Sequence, residues 1–208
     1  MFDVICVTNR TLCRGNFLER IKAIADSGPA AIILREKDLA EEEYGELASA
    51  VMRICDSSQI PCILHYHKKV AERLKASALH VPLPALREMT EQERKAFQML
   101  GASCHSVSEA VEAEALGCTY LVAGHIFATD CKKGLEPRGL SFLQEVCKSV
   151  RIPVYAIGGI DSENIRLVEA AGAKGGCVMS GLMTCDNPAE YMKGMRFVDE
   201  DSVDDRRQ

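Results

Sequence analysis

Short apolar runs and stretches with helical spacing alternate eight times along this chain, and few folds accept such a series. The runs are Val4–Thr8, Ala31–Leu34, Pro61–Leu64, Leu79–Val81, Met99–Ser103, Thr119–Ala123, Pro153–Gly159 and Gly175–Ser180. Between and after them the apolar spacing predicts helices over Phe17–Asp26, Glu41–Cys55, Lys68–Lys75, Thr90–Ala96, Val107–Leu116 and Leu140–Ser149. Two more are predicted, one between the last two strands and one near Pro188–Met195. Continuously apolar strands that alternate with helices form parallel sheets covered on their faces. Eight such units in about 200 residues favour a closed α/β barrel, the (β/α)₈ fold, over an open doubly wound sheet. The expected domain is residues 1–197. The charged stretch 198–208, with Val198 and Val203 as its aliphatic residues, is expected to be a disordered tail.

The bulk numbers narrow the partners. Twenty-five basic and 30 acidic residues give a net charge of −5, which offers nucleic acid nothing. No apolar stretch is long enough to span a membrane, and the N-terminus lacks a secretory apolar segment. Ten scattered cysteines with no Cys-x-x-Cys pair read as reduced thiols, several of them inside strands. The expected location is therefore cytoplasmic. A homodimer through an exposed helix such as 107–116 is possible on this pattern.

In a parallel barrel the chemistry sits at the C-terminal ends of the strands. Those ends place Arg35, Lys37, His65, His105 and His125 around one mouth, with Ser103 just before His105. His105 is the candidate base, because imidazole both takes and returns a proton near neutrality. The alternative is a histidine that merely ties down a strand end. Arg35 and Lys37 lie two apart, which suits a carboxylate or phosphate; the alternative is a surface pair bridged to Glu36. His65 and His67 have no carboxylate beside them, so no metal is expected. The polar loop after strand 6, with Thr129 and Lys132, is long enough to clamp a ligand. Cys131 in that loop has no evident base partner and ranks low as a nucleophile. The small residues Gly158, Gly159, Ser180 and Gly181 end strands 7 and 8, where exposed backbone N–H groups commonly hold a phosphate.

Five segments carry a family resemblance: Leu34-Arg-Glu-Lys37, Gly101-Ala-Ser-Cys-His-Ser106, Val122 to Glu136, Ala156-Ile-Gly-Gly159 and Val178-Met-Ser-Gly181. In this order they resemble the thiamine phosphate synthase superfamily, and more closely its thiazole tautomerase branch (TenI type). The synthase has an Asn-Asp after strand 3 and a Gly-Gln-x-Asp after strand 4, whose carboxylates hold magnesium. Here the matching positions are His65-Tyr66 and Pro82-Leu83-Pro84-Ala85. The synthase glutamine two residues before Arg35 is Ile33. The resemblance therefore implies a cofactor-free, metal-independent tautomerase. It would aromatise 2-carboxy-4-methylthiazole ethyl phosphate in thiamine biosynthesis, with His105 as its acid/base. By the same resemblance the Gly158-Gly159 and Ser180-Gly181 turns hold the phosphate, and Arg35, Lys37, His65, Ser103, His125, Thr129 and Lys132 surround the substrate. The alternatives are thiamine phosphate synthase itself, or a protein that binds thiazole phosphates without turnover.

Overall fold

The computed structural model describes residues 2–129, 132 and 134–196. The tail, Asp130, Cys131 and Lys133 lie outside the described residues. The eight strands are β1 (Asp3–Val7), β2 (Ala31–Leu34), β3 (Cys62–His65), β4 (Ala78–Pro82), β5 (Met99–Cys104), β6 (Tyr120–Gly124), β7 (Val154–Ile157) and β8 (Gly175–Val178). They pair in parallel, in sequence order, and β8 closes on β1 through Val4 opposite Gly176 and Cys6 opposite Val178. The expected (β/α)₈ barrel is the observed one.

Among the described residues ten α-helices cover it: α1 (Phe17–Asp26), α2 (Glu41–Ser57), α3 (Lys68–Arg73), α4 (Leu83–Glu88), α5 (Glu91–Lys95), α6 (Val107–Ala115), α7 (Gly139–Ser149), α8 (Ile165–Ala170), α9 (Ser180–Thr184) and α10 (Pro188–Met195). Their starts follow local chemistry. The side chains of Asn16, Thr90, Ser106 and Asn187 accept the first free amides of α1, α5, α6 and α10. Two short helices, α4 and α9, go beyond the sequence reading. Pro82 and Pro84 look like chain breakers, yet proline is tolerated in a first helical turn, where its missing N–H is unneeded. The segment before β8 is less helical than expected. Asp161 accepts the amides of Glu163 and Asn164 (3.0 and 3.1 Å), so a side-chain turn occupies its first half.

Strand side chains alternate between two cores. Val4, Cys6, Ile32, Leu34, Leu64, Leu79 and Val81 pack outward under the helices. Ile5, Val7, Ile33, Ile63, Tyr120, Val122 and Cys177 fill the barrel. The described cysteines are free thiols. Among the described residues no helix is long and apolar enough to cross a membrane.

One buried hydroxyl ties the strand ends to the helical layer. Tyr44 of α2 is fully buried; its OH donates to the Leu34 carbonyl (2.7 Å) and accepts from the His65 amide (2.9 Å). Tyr44→Phe leaves both backbone groups without that partner, at a cost of about 2 kcal/mol. In a domain of this size the melting temperature should fall by about 4–8 °C, measured by circular dichroism. An unchanged melting temperature would mean that other groups satisfy both strands.

Candidate active site

The site begins with the segment after β2. The Arg35 amide donates to Thr8 Oγ1 (2.9 Å), and the Thr8 hydroxyl donates to the Glu36 carboxylate (2.5 Å). Glu36, only 2% exposed, also accepts the Arg10 amide at 2.9 and 3.1 Å. Glu36 thus serves the ends of β1 and β2 and does not pair with Arg35 or Lys37. The Lys37 ammonium is held below its ordinary pKa by the charge of Arg35 first, then by burial, then by the charge of Lys132. Among the described residues no carboxylate lies within ion-pair distance of these three cations. Three like charges held together without a counter-ion form a site for an anion.

Facing them is a layer of histidines. His65, half-buried at the end of β3, stacks 5.8 Å from His80 of β4. Burial drives both pKa values down to about 3, and for His65 the charges of His80, Arg35, Lys37 and His67 add to it. His80 Nδ1 lies 3.0 Å from the Tyr120 hydroxyl and Nε2 lies 2.9 Å from Ser103 Oγ. A neutral imidazole between two hydroxyls fixes the Ser103 side chain at the barrel mouth. His80 is not among the candidates that the strand ends single out in the sequence. The signal that could have found it is strand parity, since His80 shares the inward phase of Ala78 and Pro82.

His105 ends on the rim just beyond β5 and is exposed. Its Nδ1 lies 2.8 Å from the Gly124 carbonyl. A carbonyl only accepts, so Nδ1 carries the proton and Nε2 presents a free lone pair. The His105 amide donates to Glu109 (2.5 Å), while Ser106 caps α6 by accepting the Glu109 amide (3.1 Å). The base candidate is thus oriented by strand β6 and anchored to the start of α6.

His125, the residue after β6, is largely covered by its surroundings. His125 is 6% exposed, with Nε2 3.3 Å from the Leu135 carbonyl. The chain after β6 goes on pairing with the end of β7, through Ile126 N to Ile157 O (2.9 Å) and Phe127 N to Gly158 O (3.0 Å). This tucks His125 against Gly158, where a Cβ would sit 2.4 Å from the His125 Cβ. The loop closes where Arg138 N returns to His125 O (2.9 Å). His125 therefore holds the base of the loop that carries Thr129, half-buried, and Lys132, exposed.

Gly158 and Gly159 have φ of +100° and +67°, conformations that favour glycine. Among the described residues, no acceptor takes the amides of Gly158, Gly159, Ser180 or Gly181. Strands β7 and β8 are neighbours, so these free N–H groups lie at adjacent strand ends. They form the kind of backbone cradle that takes a phosphate dianion.

The donors present do not fit a divalent cation. The two positions matching the synthase's metal-binding carboxylates carry Tyr66 and Ala85. Among the described residues no group of three His, Cys, Asp or Glu could hold a metal.

The neutral histidines have a consequence for stability. Their native pKa lies below the unfolded value of about 6.5, so the unfolded chain binds more protons as pH falls. The denaturation midpoint should hold above pH 6.5 and decline steadily from pH 6.5 towards pH 4. The decline should be shallower in His65→Asn. A flat profile over that window would contradict buried neutral imidazoles.

Residues 4–182 match the family model described as thiamine monophosphate synthase. The thiamine-phosphate synthase of Syntrophomonas wolfei is 31% identical over 189 residues, covering 88% of each chain. Thiamine-phosphate synthase 2 of Streptococcus pneumoniae is 34% identical over 177 residues, covering 83% of this chain and 82% of the other. Among solved structures, thiamine phosphate pyrophosphorylase from Pyrococcus furiosus superimposes with a TM-score of 0.81 at 28% identity, covering 93% of both chains. The fold, the coverage and the matched strand-end residues together place this chain in the thiamine monophosphate synthase family.

Proposed function

We propose that this chain is a thiazole tautomerase. It would convert the exocyclic-ylidene form of 2-carboxy-4-methylthiazole ethyl phosphate into its aromatic isomer without a metal. The observation that carries the reading is His105, whose Nδ1 is tied to the Gly124 carbonyl (2.8 Å), which leaves Nε2 as the nitrogen with a free lone pair. Nε2 takes the proton from ring C2. The C2–H electron pair becomes the C2=N bond, the former N=C4 pair becomes C4=C5, and the exocyclic double bond takes a proton at its outer carbon. The imidazolium formed in the first half can supply that proton, and aromatisation drives the sum. The free amides of Gly158, Gly159, Ser180 and Gly181 hold the phosphate in this reading. The carboxylate falls to Arg35, Lys37 and Lys132, and the Ser103 hydroxyl, fixed by His80, faces the ring.

The second reading is thiamine phosphate synthase. It is favoured by the activity for which the relatives are named and by the three-cation cluster, which suits a pyrophosphate as well as a carboxylate. Against it stand Tyr66 and Ala85 at the positions where the synthase has metal-binding carboxylates. Loss of pyrophosphate relies on a cation to neutralise the charge that develops.

The test is an ultraviolet assay of the non-aromatic thiazole carboxylate phosphate in EDTA. The wild-type protein should generate the aromatic absorption, and His105→Ala should slow it by about 10²–10⁴-fold. Full activity in His105→Ala would overturn the role of His105. Thiamine phosphate formed from the pyrimidine pyrophosphate, thiazole phosphate and magnesium would move the assignment to the second reading. Tight thiazole phosphate binding with neither product would leave a binding protein.

A further inference from the structure

Among the described residues three non-glycines have positive φ: Gln59 (56°), Tyr66 (70°) and Lys75 (53°). Two of them end helices. Gln59 follows α2, and Ile60 N returns to Cys55 O (2.9 Å); Lys75 follows α3, and Ala76 N returns to Ala71 O (2.9 Å). Both are the left-handed residue of an ordinary helix-ending motif. Tyr66 has no such reason, because it follows a strand and precedes a helix. His67 N bonds to His65 O across it (2.9 Å), which makes Tyr66 the centre of a left-handed γ-turn, the rare and strained form. A bulky residue there is a steric outlier that a glycine would relieve.

Packing does not account for the strain, since Tyr66 is 57% exposed. What the turn does is display an aromatic ring at the barrel mouth. The Tyr66 ring centroid lies 6.5 Å from that of His65 and 5.7 Å from that of His67, edge-on to the latter. His67 in turn stacks on the buried Tyr44 at 4.2 Å. The wall is therefore rigid from beneath and open above. Its His65 end faces the cations Arg35 and Lys37, whose charge it feels. The wall therefore offers ring faces in place of charged groups.

We propose that Tyr66 is a specificity residue whose ring stacks on the planar heteroaromatic ring of a phosphorylated substrate. This rests on the proposed function for the identity of that ring, a thiazole. Strain at an exposed position is retained for binding, not for folding. The sign of that trade is testable. Tyr66→Gly relieves the turn and removes the ring, so the melting temperature holds or rises while heterocycle binding weakens. Tyr66→Phe keeps the stacking face and keeps the strain.

The experiment is isothermal titration of the full chain with 4-methyl-5-(2-phosphooxyethyl)thiazole and, separately, with inorganic phosphate, alongside thermal melts. Relative to wild type, Tyr66→Gly should bind the thiazole phosphate about tenfold more weakly, the scale of one aromatic stacking contact. It should bind inorganic phosphate equally and melt no lower, and Tyr66→Phe should bind the thiazole as wild type does. Equal thiazole binding in wild type and Tyr66→Gly overturns the inference and leaves the tautomerase reading standing. So does a parallel loss of phosphate and thiazole affinity, which would mean the turn only supports the site. Thiazole binding that is selectively lost in Tyr66→Gly, in a protein without isomerase turnover, keeps the inference and removes the reading beneath it.

Discussion

Everything at the mouth depends on the closure of β8 against β1. At that seam the backbones run close: a Cβ on Gly175 would sit 2.3 Å from the Asp3 carbonyl and 2.8 Å from the Tyr155 ring. A side chain there would force the strands apart. With glycine, Asp3 pairs opposite Gly175 and Ile5 opposite Cys177, and the sheet becomes a ring without edges. Closure brings the ends of β7 and β8, with their free amides, round to the side of the barrel where β1 and β2 carry the Thr8–Glu36 anchor of Arg35. Neither the pair of adjacent turns with free amides nor the cation cluster is a local motif. Each is a product of the ring.

The same ring sorts charge by depth. Within the barrel the imidazoles of His65 and His80 are kept neutral by burial, and the hydroxyls of Tyr120 and Ser103 take the polar contacts of His80. At the rim, Arg35, Lys37 and Lys132 have no carboxylate partner among the described residues. Between these layers sits His105, exposed and oriented through one nitrogen only. A neutral floor, a cationic rim and one free imidazole lone pair suit a small anionic substrate that must exchange a proton. They suit it without the carboxylate-bound cation that the family's coupling chemistry requires.

Much of this was legible in the sequence. Strand phase and helix periodicity are set by burial, so α1, β2 and α10 fall on the residues their patterns predict. Strand ends are set by the barrel, so Arg35, Lys37, His65, Ser103 and His105 stand at or just beyond the C-terminal ends of β2, β3 and β5. What the sequence hid lies in contacts between distant segments. The pairing of Ile126 and Phe127 with the end of β7, which packs His125 against Gly158, leaves no mark in the sequence. His80 looks like a core residue, yet it links Tyr120 to Ser103. Tyr66 looks like an ordinary loop tyrosine, because φ is invisible in a residue list. The helix α4 was hidden by prolines whose meaning depends on whether they stand inside a helix or at its first turn.

The most direct test of His105 as a metal-independent proton shuttle is the fate of hydrogen when the isomerisation is run in D₂O with EDTA and the product is read by NMR. A base held on one face of the ring delivers its proton to one face of the exocyclic carbon. The predicted product carries a single deuteron at one prochiral position of the new methylene, or retains the hydrogen transferred from C2 at that same position. Deuterium spread equally over both positions, at the rate seen in buffer alone, would contradict it.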